Sequence, residues 1–387
     1  MKRLSSLLAL LLALLILLSA CQEAPPITNS ETESSSETES QRSETESDPP
    51  VWKEQTLNIL DNSPSIFLPV GRTYGRDDAL ACDNSCTGIR FVAECEGSVS
   101  IYAKSILRPG FPKIYFTLYI NGERIDTRFT VTEELEWITL AEDLPKATYE
   151  FELVKQSQYH MGTAELLEVN LTGIFHKAPE QRSLFIEYYG DSIVNGSNVH
   201  KGAKTNEETS DATLAYGWLS AQALDADCSI VGRGGLSLSV ETEMDIMDDL
   251  FDICGSSLHS DVPKYDFART PDVVVVNMGC NDGVKAASVD AFKERVAELI
   301  TNIREKYGDD IRIVWIYGYR NDAKEYWEHI QEVMENMGGE YGNLYACQVS
   351  VCYIPKSEGG DGYHPDVANA AIMAEEVTDF LRNLLND

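Results

Sequence analysis

Four consecutive valines, Val273-Val274-Val275-Val276, put apolar side chains on both faces of any strand they form. Such a strand needs cover above and below, the condition met inside a parallel sheet sandwiched between helices. The surrounding pattern agrees. Leu184 to Tyr189, Cys228 to Val231, Ile311 to Tyr317 and Leu344 to Val349 read as strands. Ala212 to Ala226, Val289 to Lys306, Lys324 to Met337 and Val367 to Leu385 carry helical spacing between them. Strands alternating with helices predict an α/β domain over residues 183–387, three layers thick (α/β/α), with a parallel sheet.

A different rule governs residues 52–177. Ile89 to Ala93, Val99 to Ala103 and Tyr149 to Val154 roughly alternate, and Ile114 to Ile120 runs into Asn121-Gly122, a strong hairpin signal. No helical period interrupts them. This stretch is expected to be an all-β jelly-roll or sandwich domain.

The first residues concern export. Met1-Lys2-Arg3 is followed by the apolar run Leu4 to Leu18 and then Leu18-Ser19-Ala20-Cys21, the order of a secretory leader over residues 1–21. Leu-Ser-Ala-Cys looks like a bacterial lipobox, which implies lipid on Cys21, a bacterial cell-surface location and membrane attachment through that residue only. An ordinary leader or an uncleaved anchor is the alternative. Residues 22–51, rich in Ser, Thr, Glu and Pro, have little to bury and read as a disordered tether.

With 31 basic and 63 acidic side chains the net charge is −32, so nucleic acid is not an expected partner. Export permits disulfides, and Cys82 and Cys86 are near enough to pair; buried free thiols are the competing expectation. No zinc-type spacing accompanies these cysteines, and no metal or cofactor is expected.

The chemistry-bearing residues lie where strands end, the region in which open α/β sheets collect functional groups. Gly190-Asp191-Ser192 follows the first strand of the α/β region. Ser192 would present its hydroxyl there, and Asp191 would brace the turn. Gly232-Arg233-Gly234-Gly235 follows the next strand, where a glycine N–H could point into the same site. Gly279-Cys280-Asn281-Asp282 follows the valine strand, and the Asn281 amide could donate to a developing oxyanion. In Asp361-Gly362-Tyr363-His364 the carboxylate and imidazole are three residues apart, close enough for one to orient the other while the imidazole takes a serine proton. Each group alone suits an ordinary turn. Their joint occurrence in the order Ser, Gly, Asn, Asp-His resembles the SGNH (GDSL-type) hydrolases over residues 183–387.

A β-rich domain in front of such a domain resembles carbohydrate esterase family 2, whose members remove O-acetyl groups from plant polysaccharides. The resemblance implies a Ser192-His364-Asp361 triad. It also implies an oxyanion hole from the Ser192 N–H, Gly232 or Gly234, and Asn281. Some members of that family lack the Asp; here Asp361 is present. The implied function is a polysaccharide acetyl esterase of the xylan or mannan type, with an acetylated polysaccharide or oligosaccharide as partner. Two alternatives stand beside it: an esterase or lipase/thioesterase on another acyl group, and a non-catalytic carbohydrate-binding surface lipoprotein.

Overall fold

A computed structural model describes residues 51–387 except 203, 241–245, 256–261, 322 and 387. The leader, Cys21 and all of the tether except Val51 lie outside the described residues.

The N-terminal region is an antiparallel sheet of nine strands: β1 (Lys53–Asn58), β2 (Leu68–Val70), β3 (Thr73–Arg76), β4 (Ala79–Cys82), β5 (Gly88–Leu107), β6 (Ile114–Ile120), β7 (Glu123–Val131), β8 (Glu136–Lys155) and β9 (Gly162–Phe175). The expected segments at residues 89–93 and 99–103 belong to one 20-residue strand, β5, whose pairing with β8 shifts register between Cys95 and Ser100. That irregularity hides the period-2 alternation and makes one strand read as two. Asn121-Gly122 turns as expected: both residues have positive φ, +52° and +81°, and Ile120 pairs with Glu123.

The α/β region carries β10 (Leu184–Gly190), β11 (Ala226–Gly232), β12 (Val273–Asn277), β13 (Arg312–Tyr317) and β14 (Leu344–Gln348), all parallel, in the order β11-β10-β12-β13-β14. The valine strand divides its side chains as its composition requires. Val273 and Val275 pack with α1 (Tyr216–Ala223) and α6 (Val367–Asn386) through Trp218, Ala221, Met373 and Val377. Val274 and Val276 pack on the other face with α4 (Val289–Tyr307) and α5 (Trp327–Asn336) through Phe292, Leu299, Ile303 and Ile330. All four valines are fully buried. Two short helices, α2 (Met247–Phe251) and α3 (Cys280–Val284), have no counterpart in the sequence expectation.

The helix expected over Ala212 to Ala226 is shorter. A single 3₁₀ turn covers Ala212–Leu214, α1 follows, and Asp225 in the left-handed region (φ +50°) turns the chain directly into β11. The helix expected from Lys324 begins only at Trp327, because Tyr326 is itself left-handed (φ +55°).

Pro50 to Asp387 forms one compact unit, and the two regions are joined by buried polar contacts. Arg72 of the antiparallel region and Glu187 of β10 form a fully buried ion pair at 2.8 Å, with Tyr189 Oη accepting from the same guanidinium at 2.7 Å. Among the described residues no helix is long and apolar enough to cross a membrane. All eight cysteines there are buried and free. Of the two expectations, buried free thiols hold rather than a Cys82–Cys86 pair: Cys82 closes β4 fully buried, and burial pushes its thiol up to about 12.

Candidate active site

Strand order fixes where the site forms. The chain leaves β10 for β11 on one side and later returns to β12 on the other, so a crevice opens at the carboxyl end of β10. Gly190 is in register with Gly232 of β11 and Asn277 of β12. The three segments that follow these strands thus emerge side by side.

Asp191 is buried and braces the turn that carries Ser192. Its Oδ1 accepts the Ile193 N–H at 3.0 Å, its Oδ2 accepts Asn281 Nδ2 at 3.1 Å, and its carbonyl accepts Asn195 Nδ2 at 2.8 Å. Burial raises its carboxyl to about 6, against the lowering effect of the Ile193 bond and the His364 charge. The Ser192 carbonyl accepts the Ser197 N–H at 3.0 Å. Among the described residues, the Ser192 hydroxyl and N–H have no hydrogen-bond partner.

The loop after β14 supplies Asp361 and His364. Asp361 Oδ2 lies 2.6 Å from His364 Nδ1 and accepts Asn198 Nδ2 at 2.8 Å, while Oδ1 accepts the Tyr363 and His364 N–H groups at 2.8 and 3.0 Å. Partial burial opposes the charge on Asp361, but these bonds and the His364 charge outweigh it and hold the carboxyl well below the usual range. An ionised Asp361 fixes the His364 tautomer that carries its proton on Nδ1, leaving Nε2 as acceptor.

Ser192, Asn281, Gly234, Gly235 and His364 line one cavity of about 380 Å³. Gly232 does not line it. A Cβ on Gly232 would sit 1.9 Å from the Gly190 carbonyl oxygen, so this glycine permits close approach of β11 to β10. Gly234 lines the cavity, but its N–H already donates to Gln158 Oε1 at 2.7 Å. The neighbouring Gly235 also lines it, and its N–H has no acceptor among the described residues. Asn281 sits in α3 rather than in a loop, and Nδ2 donates to Leu236 O at 2.9 Å as well as to Asp191.

Sequence reasoning passed over several residues. Asp282 is fully buried and accepts from the Leu238 and Ser239 N–H groups at 3.0 and 2.8 Å, pinning the segment after the glycines. Its place in Gly-x-Asn-Asp was the available signal. Gln158 comes from the antiparallel region; besides holding Gly234 it donates to Ser197 Oγ at 2.6 Å. No motif marks it. Among the described residues, no group of three or more His, Cys, Asp or Glu is arranged to hold a metal ion.

The family model described as GDSL-like Lipase/Acylhydrolase matches residues 186–377, the stretch that contains all four groups. Residues 186–377 thus match the GDSL-like lipase/acylhydrolase family. The chain is also 23% identical over 285 residues to Cellulase/esterase CelE of Acetivibrio thermocellus, covering 70% of this chain and 34% of that protein. It thus spans about a third of that relative. It is 24% identical over 268 residues to Acetylxylan esterase / glucomannan deacetylase of Cellvibrio japonicus, covering 64% of this chain and 71% of that protein. The structure of a family two carbohydrate esterase from Cellvibrio japonicus superposes with a TM-score of 0.75 at 20% identity, covering 86% of this chain and 98% of that one. The shared fold therefore extends through the antiparallel region as well as the α/β region.

Proposed function

We propose that this GDSL-family chain is a serine esterase that removes O-acetyl groups from a polysaccharide of the xylan or mannan type. The observation that carries the reading is the cavity itself: a serine hydroxyl without a partner and an imidazole already oriented by a carboxylate line the same 380 Å³ space. Ser192 attacks the acetyl carbonyl carbon while His364 Nε2 takes the hydroxyl proton. Asp361 holds the tautomer and stabilises the imidazolium.

The negative charge passes to the carbonyl oxygen, which the Ser192 N–H receives. The Gly235 N–H is the better second donor, since Gly234 is committed to Gln158. Asn281 joins by exchanging its 3.1 Å bond to Asp191. One such donor is worth about 2.7–4 kcal/mol in the transition state. The imidazolium then protonates the departing sugar oxygen, which leaves as the free hydroxyl, and water releases acetate from the acyl-enzyme by the reverse roles. In this mechanism every proton is moved by a side chain of this chain.

The cavity lining supports a short acyl group on a sugar. Thr205, Asn281 and His364 line it with polar groups, whereas a fatty acyl chain needs a long apolar groove. The carbohydrate esterases among the similar proteins support the same choice of substrate. We read the antiparallel region as a jelly roll that closes one side of the cleft through Gln158 and His160. The test is acetate release from acetylated xylan and glucomannan by the parent chain and by Ser192→Ala. Release that survives Ser192→Ala refutes the mechanism; octanoyl ester cleavage without acetyl cleavage refutes the substrate class. We further propose export with lipid on Cys21, checked by fatty-acid labelling that Cys21→Ala must abolish.

A further inference from the structure

A second cavity, of about 610 Å³, adjoins the first and shares Thr205, Tyr363 and His364 with it. Lys201, Lys204 and Lys356 all line it. Three lysines around one concavity stand out in a chain whose acidic residues outnumber basic ones 63 to 31. Asp361 is the acidic residue of the lining, and its oxygens are taken up by His364, Asn198 and two backbone N–H groups. Glu358, on the same short turn as Lys356, does not line the cavity. Lys201 is neutralised by Asp366 at 2.6 Å. Lys204 and Lys356 have no carboxylate within ion-pair distance among the described residues, and the Lys356 ammonium lies 5.8 Å from the Tyr363 ring centroid.

Two unpaired cations in a concavity attract an anion, and a carboxylate replaces their water with charge-assisted hydrogen bonds. A neutral sugar gains no such advantage over water. Thr205, Tyr363 and His364 line both cavities, so an anion held here lies next to a group held in the first. We propose that the second cavity is a subsite for a carboxylate-bearing sugar, a uronate, carried by the acetylated polysaccharide next to the unit whose acetyl group lies at Ser192. The inference rests on the esterase reading and narrows its substrate to acidic polysaccharide. Exposed ion pairs are individually weak, so two of them should change kcat/KM by about three- to tenfold. Screening by salt should erase the difference.

The experiment uses the full chain and two polymers: acetylated glucuronoxylan, and the same polymer with its uronate carboxyls reduced to alcohols. Nitrophenyl acetate, too small to reach the second cavity, reports the chemistry alone. The parent is expected to prefer the acidic polymer three- to tenfold at low salt and to lose the preference in 1 M NaCl. Lys204→Gln/Lys356→Gln should lose it at any salt, with nitrophenyl acetate hydrolysis unchanged. Equal rates on the two polymers, or a preference that survives in the double variant, overturn the subsite and leave the esterase reading standing. Hydrolysis of nitrophenyl acetate but of neither polymer overturns the subsite and the xylan assignment together, leaving only a serine esterase. No hydrolysis of any ester removes both.

Discussion

Gly232→Ala separates the two glycines that sequence alone left equivalent. An ideal Cβ at Gly232 falls 1.9 Å from the Gly190 carbonyl oxygen and 2.7 Å from its carbon. Ordinary carbon contact begins near 3.5 Å, so β10 and β11 must part by about 1.5 Å. Neither strand can bow into solvent, because both are buried at this end. A shift of that size breaks the last ladder hydrogen bonds, each worth about 1 kcal/mol net. It also adds overpacking strain of about 1–3 kcal/mol. The total, about 3 kcal/mol, lowers the melting temperature of a unit this large by about 4 °C. Gly190 stands two residues before Ser192, and a misplacement near 1 Å at the nucleophile costs about 10²-fold in rate. At Gly234 the added Cβ would instead meet Gln158 Oε1 at 3.2 Å and Ser197 Oγ at 3.4 Å, side-chain atoms that can yield. Gly234→Ala asks two buried, hydrogen-bonded side chains to give slightly rather than a backbone to part, so it is expected to be destabilised less than Gly232→Ala. Calorimetry at fixed pH and nitrophenyl acetate kinetics on both variants decide it. If Gly232→Ala melts and turns over like the parent, or if Gly234→Ala is the less stable of the two, the packing argument is wrong.

Asp361→Asn keeps the shape of the loop but can present the wrong group to His364 Nδ1; kcat should fall by about 10³–10⁴ with KM little changed, and a fall under tenfold refutes the orienting role. Asp191 predicts a pH dependence of stability. Its folded carboxyl is raised from 3.8 to about 6, so its contribution is fully present below 3.8 and is lost as pH rises towards about 6. That rise corresponds to about 3 kcal/mol. Asp361 has the opposite sign: its lowered carboxyl stabilises above 3.8 and ceases to do so as pH falls below that value. Urea unfolding of the parent and Asp191→Asn at pH 4, 5, 6 and 7 isolates the first effect. The parent should lose about 2 kcal/mol relative to the variant from pH 4 to pH 7, and a flat difference refutes the assignment.

What the sequence revealed follows from which forces act locally. The valine run, the Asn121-Gly122 turn and the long helix Val289–Tyr307 are each specified by residues within one element, and all three are legible. Asp361 and His364 are three apart, so their contact is local too. The choice between Gly232 and Gly234 is not local: it depends on which glycine faces the neighbouring strand, and that is set by β10 some forty residues earlier in the chain. The helical placement of Asn281 depends on Gly279 at φ +121°, a conformation that opens α3 immediately after β12. Gln158 was invisible for the same reason. Its role comes from where the antiparallel region docks, and a single glutamine carries no periodicity.

That docking changes how the candidate site is understood. The turn after Ser192 is held from both sides. Asp191 ties it to Asn281 within the α/β region, whereas Ser85 Oγ reaches Asn195 Oδ1 at 2.6 Å and Gln158 bridges Ser197 and Gly234 from the antiparallel region. Ser85, Asn195, Gln158 and Ser197 are all buried, so removing any one leaves its partner's polar atoms without water, at about 1–3 kcal/mol each. A hydroxyl that must meet a carbonyl carbon to within a fraction of an ångström cannot be held by a free loop. The antiparallel region therefore contributes to the geometry of Ser192 through contacts that no isolated α/β domain would contain. Under the proposed mechanism it is part of the scaffold that positions the nucleophile.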